Sequence, residues 1–144
     1  MKTPTEEPRD KDTILALLQA TDRVRRSLSA VLRQRDLTLQ QYNVLRILRG
    51  AAPEALPTLE IAERMIEKTP GASRLVDRLE AQGLVHRERC PEDRRQVLCT
   101  LTERAREILA ELDEPITRAD AECLAQLSDR EKHQLRDLAS RVAS

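Results

Sequence analysis

The side chains that could support catalysis or bind a metal are few and scattered along the 144 residues. The cysteines Cys90, Cys99 and Cys123 are odd in number and show no C-x-x-C spacing, which argues against a zinc site or a disulfide framework. His86 and His133 are too isolated to specify a metal site. No nucleophile, base and orienting group can be grouped together, so the sequence predicts a non-enzyme with no metal and no cofactor.

Glycine and aromatic residues are equally scarce. The three glycines lie too far apart to form a dinucleotide-binding fingerprint or a phosphate-binding P-loop. Tyr42 is the single aromatic residue, so the chain has no aromatic platform on which the bases of a single strand could stack. These patterns exclude the common nucleotide-dependent enzymes and base-stacking single-strand binders.

Charge is balanced over the whole chain but unevenly distributed, with 25 Lys and Arg against 25 Asp and Glu. Residues 23–49 carry seven arginines and one acidic residue, Asp36, for a balance of +6. Residues 103–144 carry seven basic and ten acidic residues, for a balance of −3. Two interpretations remain open: an anionic partner for the arginine-rich segment, or a solvated helix face.

Apolar spacing predicts a mainly helical chain. Apolar residues at three- and four-residue steps indicate a long amphipathic helix over about residues 12–35, after a flexible tail at residues 1–11. Further helices are predicted from Thr38 to Gly50, from Leu59 to about Glu67, and over residues 70–82. The apolar runs are far shorter than the ~20 residues that a spanning helix needs, and the amino terminus has no apolar signal core. We therefore expect a soluble, cytoplasmic protein that does not enter a membrane.

Helix ends are marked by residues that cap free backbone groups. Thr38 with Gln41 and Ser128 with Glu131 match the capping box, in which each side chain bonds the other residue's backbone N–H. The stretch AAPEALP between the second and third predicted helices is expected to be a loop.

The helix at residues 70–82 has its own start and stop signals. Thr69 can cap it, and Pro70 suits its first position because that N–H would be unpaired anyway. Gly83 is the expected C-terminal stop.

Two short strands and a final helical region complete the chain. Residues 84–89 and 96–101 are predicted strands flanking the turn CPEDRR. Thr102 opens a helical region over residues 103–144, in which Pro115 predicts a new segment or a kink.

Together these elements predict a mainly α protein with a small β-hairpin wing. Two short helices joined by a tight turn and followed by a two-stranded wing form a winged helix-turn-helix lobe, here residues 36–102, with helix 70–82 in the recognition position. The lobe and its flanking helices, 12–35 and 103–144, are expected to form a single domain over residues 12–144.

The flanking helices carry apolar stripes that so small a lobe cannot bury. Interlocking with a second subunit in a homodimer would bury them, and an intramolecular bundle is the alternative. The residues assigned to the dimer interface are Ile14, Leu17, Leu18, Leu127, Leu135, Leu138 and Val142.

Across residues 59–109 the chain resembles the MarR family of bacterial transcriptional regulators. The resemblance is carried by LEIAERM, TPGASRLVDRLEAQGLVHRER and PEDRRQVLCTLTERAREIL. Its most specific element is RLVDRLEAQGLV, followed about a dozen residues later by DRR and LTE. The flanking helices match the family's dimerisation helices in length and position.

The resemblance implies a homodimer that binds a pseudo-palindromic operator in double-stranded DNA. It also implies repression of a nearby gene until a ligand or an oxidant releases the protein. The family's DNA-contacting positions fall on Thr69, Pro70, Gly71, Ala72, Ser73 and Arg74 and, in the wing, on Asp93, Arg94 and Arg95.

The residue types in the recognition helix suit these roles. Small residues in the first turn let the helix end approach the groove, and Arg74 can read a guanine edge through two hydrogen bonds. Arg78 is expected either to contact the DNA backbone or to form an ion pair near Asp77 and Glu80. The candidates for phosphate attraction are Lys68, Arg74, Arg78, Arg87 and Arg89.

In the wing, one arginine is expected to enter the minor groove, where narrow A·T-rich DNA concentrates negative potential. Arg95 is favoured over Arg94 for this role. Asp93 is expected to hold an arginine side chain by a charge-assisted bond and so to fix the end of the wing.

The sequence departs from the family at its regulatory features. With Tyr42 as the single aromatic residue, an effector pocket would be aliphatic and arginine-rimmed, suited to a small apolar anion or an acyl chain, although a ligand-independent core would look the same. Cys90 lies beside Arg89 and near Arg87, where positive charge could stabilise a thiolate for redox sensing. An ordinary thiol at Cys90 is the alternative, and Cys99 is expected in the core.

A function of another class also fits the composition. Residues 50–102 are not net basic, which favours an interaction module that keeps the winged helix but does not bind DNA. Salt-dependent DNA binding separates the two functions.

Overall fold

The computed structural model describes residues 9–68 and 71–144 of the chain. The helices of these ranges are α1 (Asp10–Leu32), α2 (Leu39–Ala51), α3 (Thr58–Arg64), α4 (Ala72–Ala81), α5 (Glu103–Cys123) and α6 (Asp129–Ala143). The strands are β1 (Leu56–Pro57), β2 (Val85–Arg89) and β3 (Val97–Leu101). The predicted mainly α fold with a small wing is confirmed. Most of the predicted tail at residues 1–11 lies outside the described residues, and α1 begins at Asp10 rather than at residue 12.

The three strands form an antiparallel sheet in the order β1-β3-β2. In the wing hairpin, Val85 lies opposite Leu101 and Arg89 lies opposite Val97. The prediction that AAPEALP is only a loop was wrong, since its last two residues form β1, with Leu56 opposite Cys99. A two-residue strand has no periodicity of its own, and its pairing partner lies about forty residues later in the chain.

The helix caps form as their local sequences predict. The Thr38 hydroxyl accepts a hydrogen bond from the Gln41 N–H at 3.1 Å, and the Gln41 side chain accepts one from the Thr38 N–H at 3.0 Å. Ser128 and Glu131 form the same capping box at the start of α6. Gly83 follows α4 with φ of 73°, a left-handed conformation that costs glycine little.

One predicted helix boundary was wrong. α3 ends at Arg64 rather than near Glu67, because Met65 turns extended and is buried in the core. Of the two alternatives predicted at Pro115, a new segment is excluded, because α5 runs through Pro115 as one element. Pro115 removes one backbone hydrogen bond, but Ile116, one residue further on, is buried, so packing holds the helix together across it.

The core of the molecule lies in the lobe between α2, α3, α4, the sheet and the first half of α5. Leu45, Ile61, Val76, Leu79 and Leu109 are fully buried there. α1 packs along α5, whereas α6 has no buried residue. The chain therefore positions α4 and the wing on a closed core and leaves its last helix largely uncovered.

Candidate nucleic-acid interface

The recognition helix α4 has an inner and an outer face, set by the 3.6-residue period. Its apolar residues Leu75, Val76 and Leu79 are buried. Ser73 and Arg74 are exposed in the first turns, where Gly71 is the N-cap. The helix spans Ala72–Ala81, slightly less than the predicted residues 70–82.

Not all of the predicted contact positions can be placed. Thr69 and Pro70 lie outside the described residues, so the predicted helix start is not tested. Lys68, immediately before them, is exposed, whereas Ala72 is buried in the core.

The wing is tied to α4 by one arginine of β2. Arg87 Nη1 donates to Asp77 Oδ1 at 2.7 Å, while Nε and Nη2 donate to the two carboxylate oxygens of Glu80 at 3.1 and 2.8 Å. These bonds, above all those to Glu80, raise the pKa of Arg87, and the bond from Arg87 lowers the pKa of Glu80. Two carboxylates thus engage the Arg87 side chain fully.

This arrangement corrects one prediction. Arg87 is not a free phosphate contact, because its guanidinium already serves Asp77 and Glu80. Arg78 forms no ion pair with Asp77 or Glu80, and its contact with the DNA backbone stays a prediction. The sequence did not predict these ion pairs, because Asp77 and Glu80 on α4 lie ten and seven residues before Arg87 on β2. No local pattern specifies how that helix packs against that strand.

The end of the wing is a backbone turn organised by Asp93. Its Oδ1 accepts the Arg95 backbone N–H at 3.1 Å, and its carbonyl accepts the Gln96 N–H at 3.0 Å. The prediction that Asp93 holds an arginine side chain was wrong. Its short carboxylate side chain instead bonds the backbone N–H two residues further on, as is common for Asp in turns. Within the described residues neither Arg94 nor Arg95 forms an ion pair, and both are exposed.

The cysteines differ in environment. Cys99 is fully buried in β3, as predicted, and its Sγ lies 3.7 Å from the Thr58 hydroxyl. That burial raises the pKa of the Cys99 thiol. Cys90 is half-buried at the base of the wing, and Arg87, one of the two arginines expected to stabilise its thiolate, is engaged by carboxylates. In residues 9–68 and 71–144 no group of three His, Cys, Asp or Glu side chains could hold a metal ion.

The arginine-rich segment pairs largely within the chain. Both Arg49 amino groups bond the Asp113 carboxylate of α5, at 3.0 and 2.9 Å, and Arg35 pairs with Glu111 on the same helix. Part of the +6 balance is therefore matched by the acidic face of α5. Neither interpretation drawn from the sequence, an anionic partner or a solvated helix face, included this pairing within the chain.

The residues assigned to a dimer interface are mostly exposed in the single chain. The exposed fractions are 61% for Leu18 and 66% for Val142. Leu17 and Leu127 are half-buried. The remaining assigned residues, Ile14, Leu135 and Leu138, are also exposed.

A cleft of about 610 Å³ lies between the lobe and the helices α1, α5 and α6. Arg46 lies over the Tyr42 ring, 5.8 Å from its centroid, and burial raises the pKa of the Tyr42 hydroxyl. The charged residues that line the cleft include Arg25, Arg46 and Arg78. The apolar lining includes Leu17, Val24, Leu28, Leu39, Met65, Leu75, Ile116 and Leu135.

A helix-turn-helix built from α3 and α4, completed by a β-hairpin wing, defines a winged helix-turn-helix protein of the kind that binds duplex DNA. The MarR family model matches residues 35–96. A MarR transcription factor from Planctomyces limnophilus is 36% identical, with 93% of this chain and 97% of that chain covered and a TM-score of 0.74. The chain belongs to the MarR family of transcriptional regulators.

Two further solved structures extend the comparison. A mutant of E. coli MarR complexed with operator DNA is 26% identical, covers 88% of this chain and 90% of its own, and has a TM-score of 0.81. Bordetella bronchiseptica BpsR, whose DNA binding is regulated by 6-hydroxynicotinic acid, is 21% identical and covers 100% of this chain and 98% of its own, with a TM-score of 0.84. The latter likeness concerns the fold.

Within residues 9–68 and 71–144, no helix combines the length and the apolarity that crossing a membrane requires.

Proposed function

We propose that the protein acts as a homodimeric repressor that binds a pseudo-palindromic operator. The observation that carries this proposal is the wing tip (residues 91–95), where Asp93 orders the backbone and Arg94 and Arg95 project exposed guanidinium groups. Such groups suit insertion into a narrow minor groove. The outward Arg74 and Ser73 of α4 suit contacts in the adjacent major groove.

The remaining contacts follow from position. Lys68, Thr69, Pro70 and Gly71 precede α4, where backbone amides and a lysine can meet a phosphate. Ala72 is left out of the proposed contacts because its side chain is buried in the core.

Arg78 has a different candidate role in this proposal. Arg78 is exposed on α4 and also lines the cleft. It is therefore a candidate contact for DNA or, alternatively, for a bound ligand.

Dimerisation is supported by the apolar residues that the chain itself leaves uncovered. Leu18 on α1 and Leu138 and Val142 on α6 are more than half exposed. Full burial of such a side chain contributes about 1.5–3 kcal/mol of stability. A second copy of α1 and α6 would bury these side chains. A homodimer also places two recognition helices on two half-sites.

The test is binding to DNA from upstream of the protein's own gene, beside random DNA of equal length. We expect tight binding to the upstream fragment and a log–log salt slope of roughly −0.9 for each phosphate that is neutralised. Fluorescence anisotropy at two salt concentrations measures both. A winged-helix interaction module without DNA affinity would bind neither fragment at either concentration.

A small apolar anion is the effector class that the cleft favours. Its walls are mainly aliphatic, and its charged lining is Arg25, Arg46 and Arg78 against Glu67 and Asp120, for a balance of +1. Since Arg25 pairs with Glu67, Arg46 and Arg78 are the arginines proposed to meet the anion. The fold relative BpsR responds to a small aromatic acid. Octanoate should release the DNA complex at concentrations where octanol, equal in chain length but uncharged, does not. Equal effects of the two compounds would argue against an anion site.

A redox alternative depends on Cys90. Its backbone N–H donates to the Gln96 carbonyl at 2.9 Å, so the residue closes the base of the wing turn. If oxidation of Cys90 regulates the protein, peroxide should release DNA from the wild type and not from the Cys90→Ser variant. Equal release from both proteins would remove Cys90 from the mechanism.

A further inference from the structure

Glu67 lies in the segment that leads into the recognition helix and is held by two other helices. One carboxylate oxygen pairs with Arg25 of α1, and the other accepts a hydrogen bond from Gln40 Nε2 of α2 at 3.0 Å. The side chain is about one-third exposed. These contacts lower the pKa of the Glu67 carboxyl, with the Gln40 bond as the largest cause and the Arg25 charge next among the lowering effects.

The neighbouring residue is anchored in the same way. The Ile66 backbone N–H donates to Asn43 Oδ1 at 3.0 Å. Gln40 and Asn43 are three positions apart on α2 and therefore share one face of that helix. Met65, the residue before Ile66, is buried in the core. Three consecutive residues of the segment are thus fixed, two of them by polar side chains of α2.

The position of Glu67 limits where α4 can begin. Gly71, the N-cap of α4, follows Glu67 by four residues, which span at most about 14 Å when fully extended. Losing the Arg25 and Gln40 contacts would leave the start of α4 free to shift relative to α1. A shift of about 1 Å is enough to spoil hydrogen bonds to a base edge, which need heavy-atom distances near 3 Å.

We infer that Glu67 is a positioning residue for DNA recognition, through which α1 and α2 fix the start of the recognition helix. The inference rests on the proposed DNA binding but concerns a residue that makes no DNA contact itself. The Arg25, Gln40 and Glu67 side chains also line the cleft, so the positioning contact lies on the wall of the proposed effector site.

The Glu67→Gln variant tests the inference, with Glu63→Gln as its matched control. Both substitutions remove one negative charge from the same stretch of chain, and Glu63 is an exposed residue of α3. Because DNA is an anion, the change in charge alone should slightly strengthen binding in both variants. We expect Glu67→Gln instead to weaken operator affinity about threefold to fivefold, the size of effect that a partly exposed ion pair supports. Equal strengthening in the two variants would overturn the inference.

A double-mutant cycle separates positioning from a general loss of stability. Arg25→Gln should weaken operator binding as much as Glu67→Gln, and the double variant should be no worse than either single variant. The exchanged pair, Arg25→Glu with Glu67→Arg, should recover most of the affinity at an unchanged melting temperature, because the Gln40 amide can also accept a hydrogen bond. Fully additive losses with no recovery in the exchanged pair would contradict the inference.

A measurement on the free protein keeps this inference distinct from the proposed function. Amide hydrogen exchange at Leu75, whose N–H donates to the Gly71 carbonyl at 3.0 Å and so closes the first turn of α4, should be faster in Glu67→Gln than in the wild type, while exchange in β2 and β3 should be unchanged. Unchanged exchange at the first turn would overturn the positioning role even if the protein binds DNA. Absence of DNA binding by the wild type would overturn the proposed function, and this measurement would still decide whether Glu67 holds α4.

Discussion

The lobe that carries α4 and the terminal helices α1 and α6 use similar residue types with opposite outcomes. Leu45 and Leu79 in the lobe are fully buried, whereas Leu18 and Val142 on the terminal helices are 61% and 66% exposed. The lobe closes its apolar surface within one chain. The terminal helices do not, so their apolar residues can contribute to stability only against another surface.

α5 connects the two regions. Its first half, with Ala105 and Leu109, is buried in the lobe core, and its later turns pack along α1. On its exposed side, Asp113 holds Arg49 of the lobe. One helix therefore joins the self-contained lobe to the uncovered chain ends, and substitutions in the two regions should act on different equilibria.

The largest effect is expected in the lobe core. Leu45→Ala should lower the free energy of unfolding by about 2–5 kcal/mol, because it removes a fully buried side chain and leaves a cavity. Urea unfolding measures the change. Leu59→Ala is the matched control, since Leu59 is 80% exposed in the same lobe and should change stability little. Similar losses in both variants would mean that the lobe does not close its core as described.

The next effect is expected at the chain ends. Leu138→Glu should weaken dimerisation by about 2–3 kcal/mol, since a carboxylate would replace an apolar contact in the proposed interface. Light scattering should then detect a 16.4 kDa species at concentrations where the wild type has twice that mass. Ser140→Glu adds the same charge at an exposed position on the opposite side of α6 and should leave the mass unchanged. A wild type that is itself monomeric at micromolar concentration would contradict the proposed dimer.

A smaller effect is expected at the wing tip, where neither core nor interface is involved. Arg95→Ala should weaken operator binding by about 1–3 kcal/mol without lowering the melting temperature. Fluorescence anisotropy and thermal unfolding measure the two quantities. Arg141→Ala, which removes an exposed arginine of α6, serves as the control for net charge. An unchanged affinity in Arg95→Ala would remove the wing from the DNA interface.

The smallest effect is expected at the link between the two regions. Arg49→Gln should cost about 0.2–1 kcal/mol of unfolding free energy, because the Arg49–Asp113 pair is well aligned but partly exposed. The exchanged pair, Arg49→Asp with Asp113→Arg, should recover part of that loss at low salt. If the stability difference between the wild type and Arg49→Gln did not shrink with added salt, the pair would not couple α2 to α5.

The elements that the sequence predicted correctly depend on neighbours in the chain. The Thr38 and Ser128 capping boxes, the Gly83 stop and the wing strands are set by contacts within a few residues, so their residue types suffice to indicate them. The errors concern contacts between distant residues. β1 depends on a partner strand about forty residues away, and α5 continues through Pro115 because of packing that a local rule does not include.

The same division applies to the interface. The residues of the recognition helix and wing, and the resemblance to MarR regulators that they carry, follow from local pattern and order in the sequence. The partners of its charged groups do not follow from local pattern. Arg87 forms ion pairs with Asp77 and Glu80, and Asp93 accepts a hydrogen bond from the Arg95 backbone. Glu67 contacts side chains of two helices.

Local sequence was enough to indicate the helices, the two wing strands and the apolar face of α4, because propensity, capping and periodicity act over a few residues. Which arginines remain available to an anion, and which are neutralised within the chain, depends on the tertiary structure. That outcome depends on distances between side chains far apart in sequence, and Coulomb attraction and hydrogen bonding take effect only when folding brings those groups together.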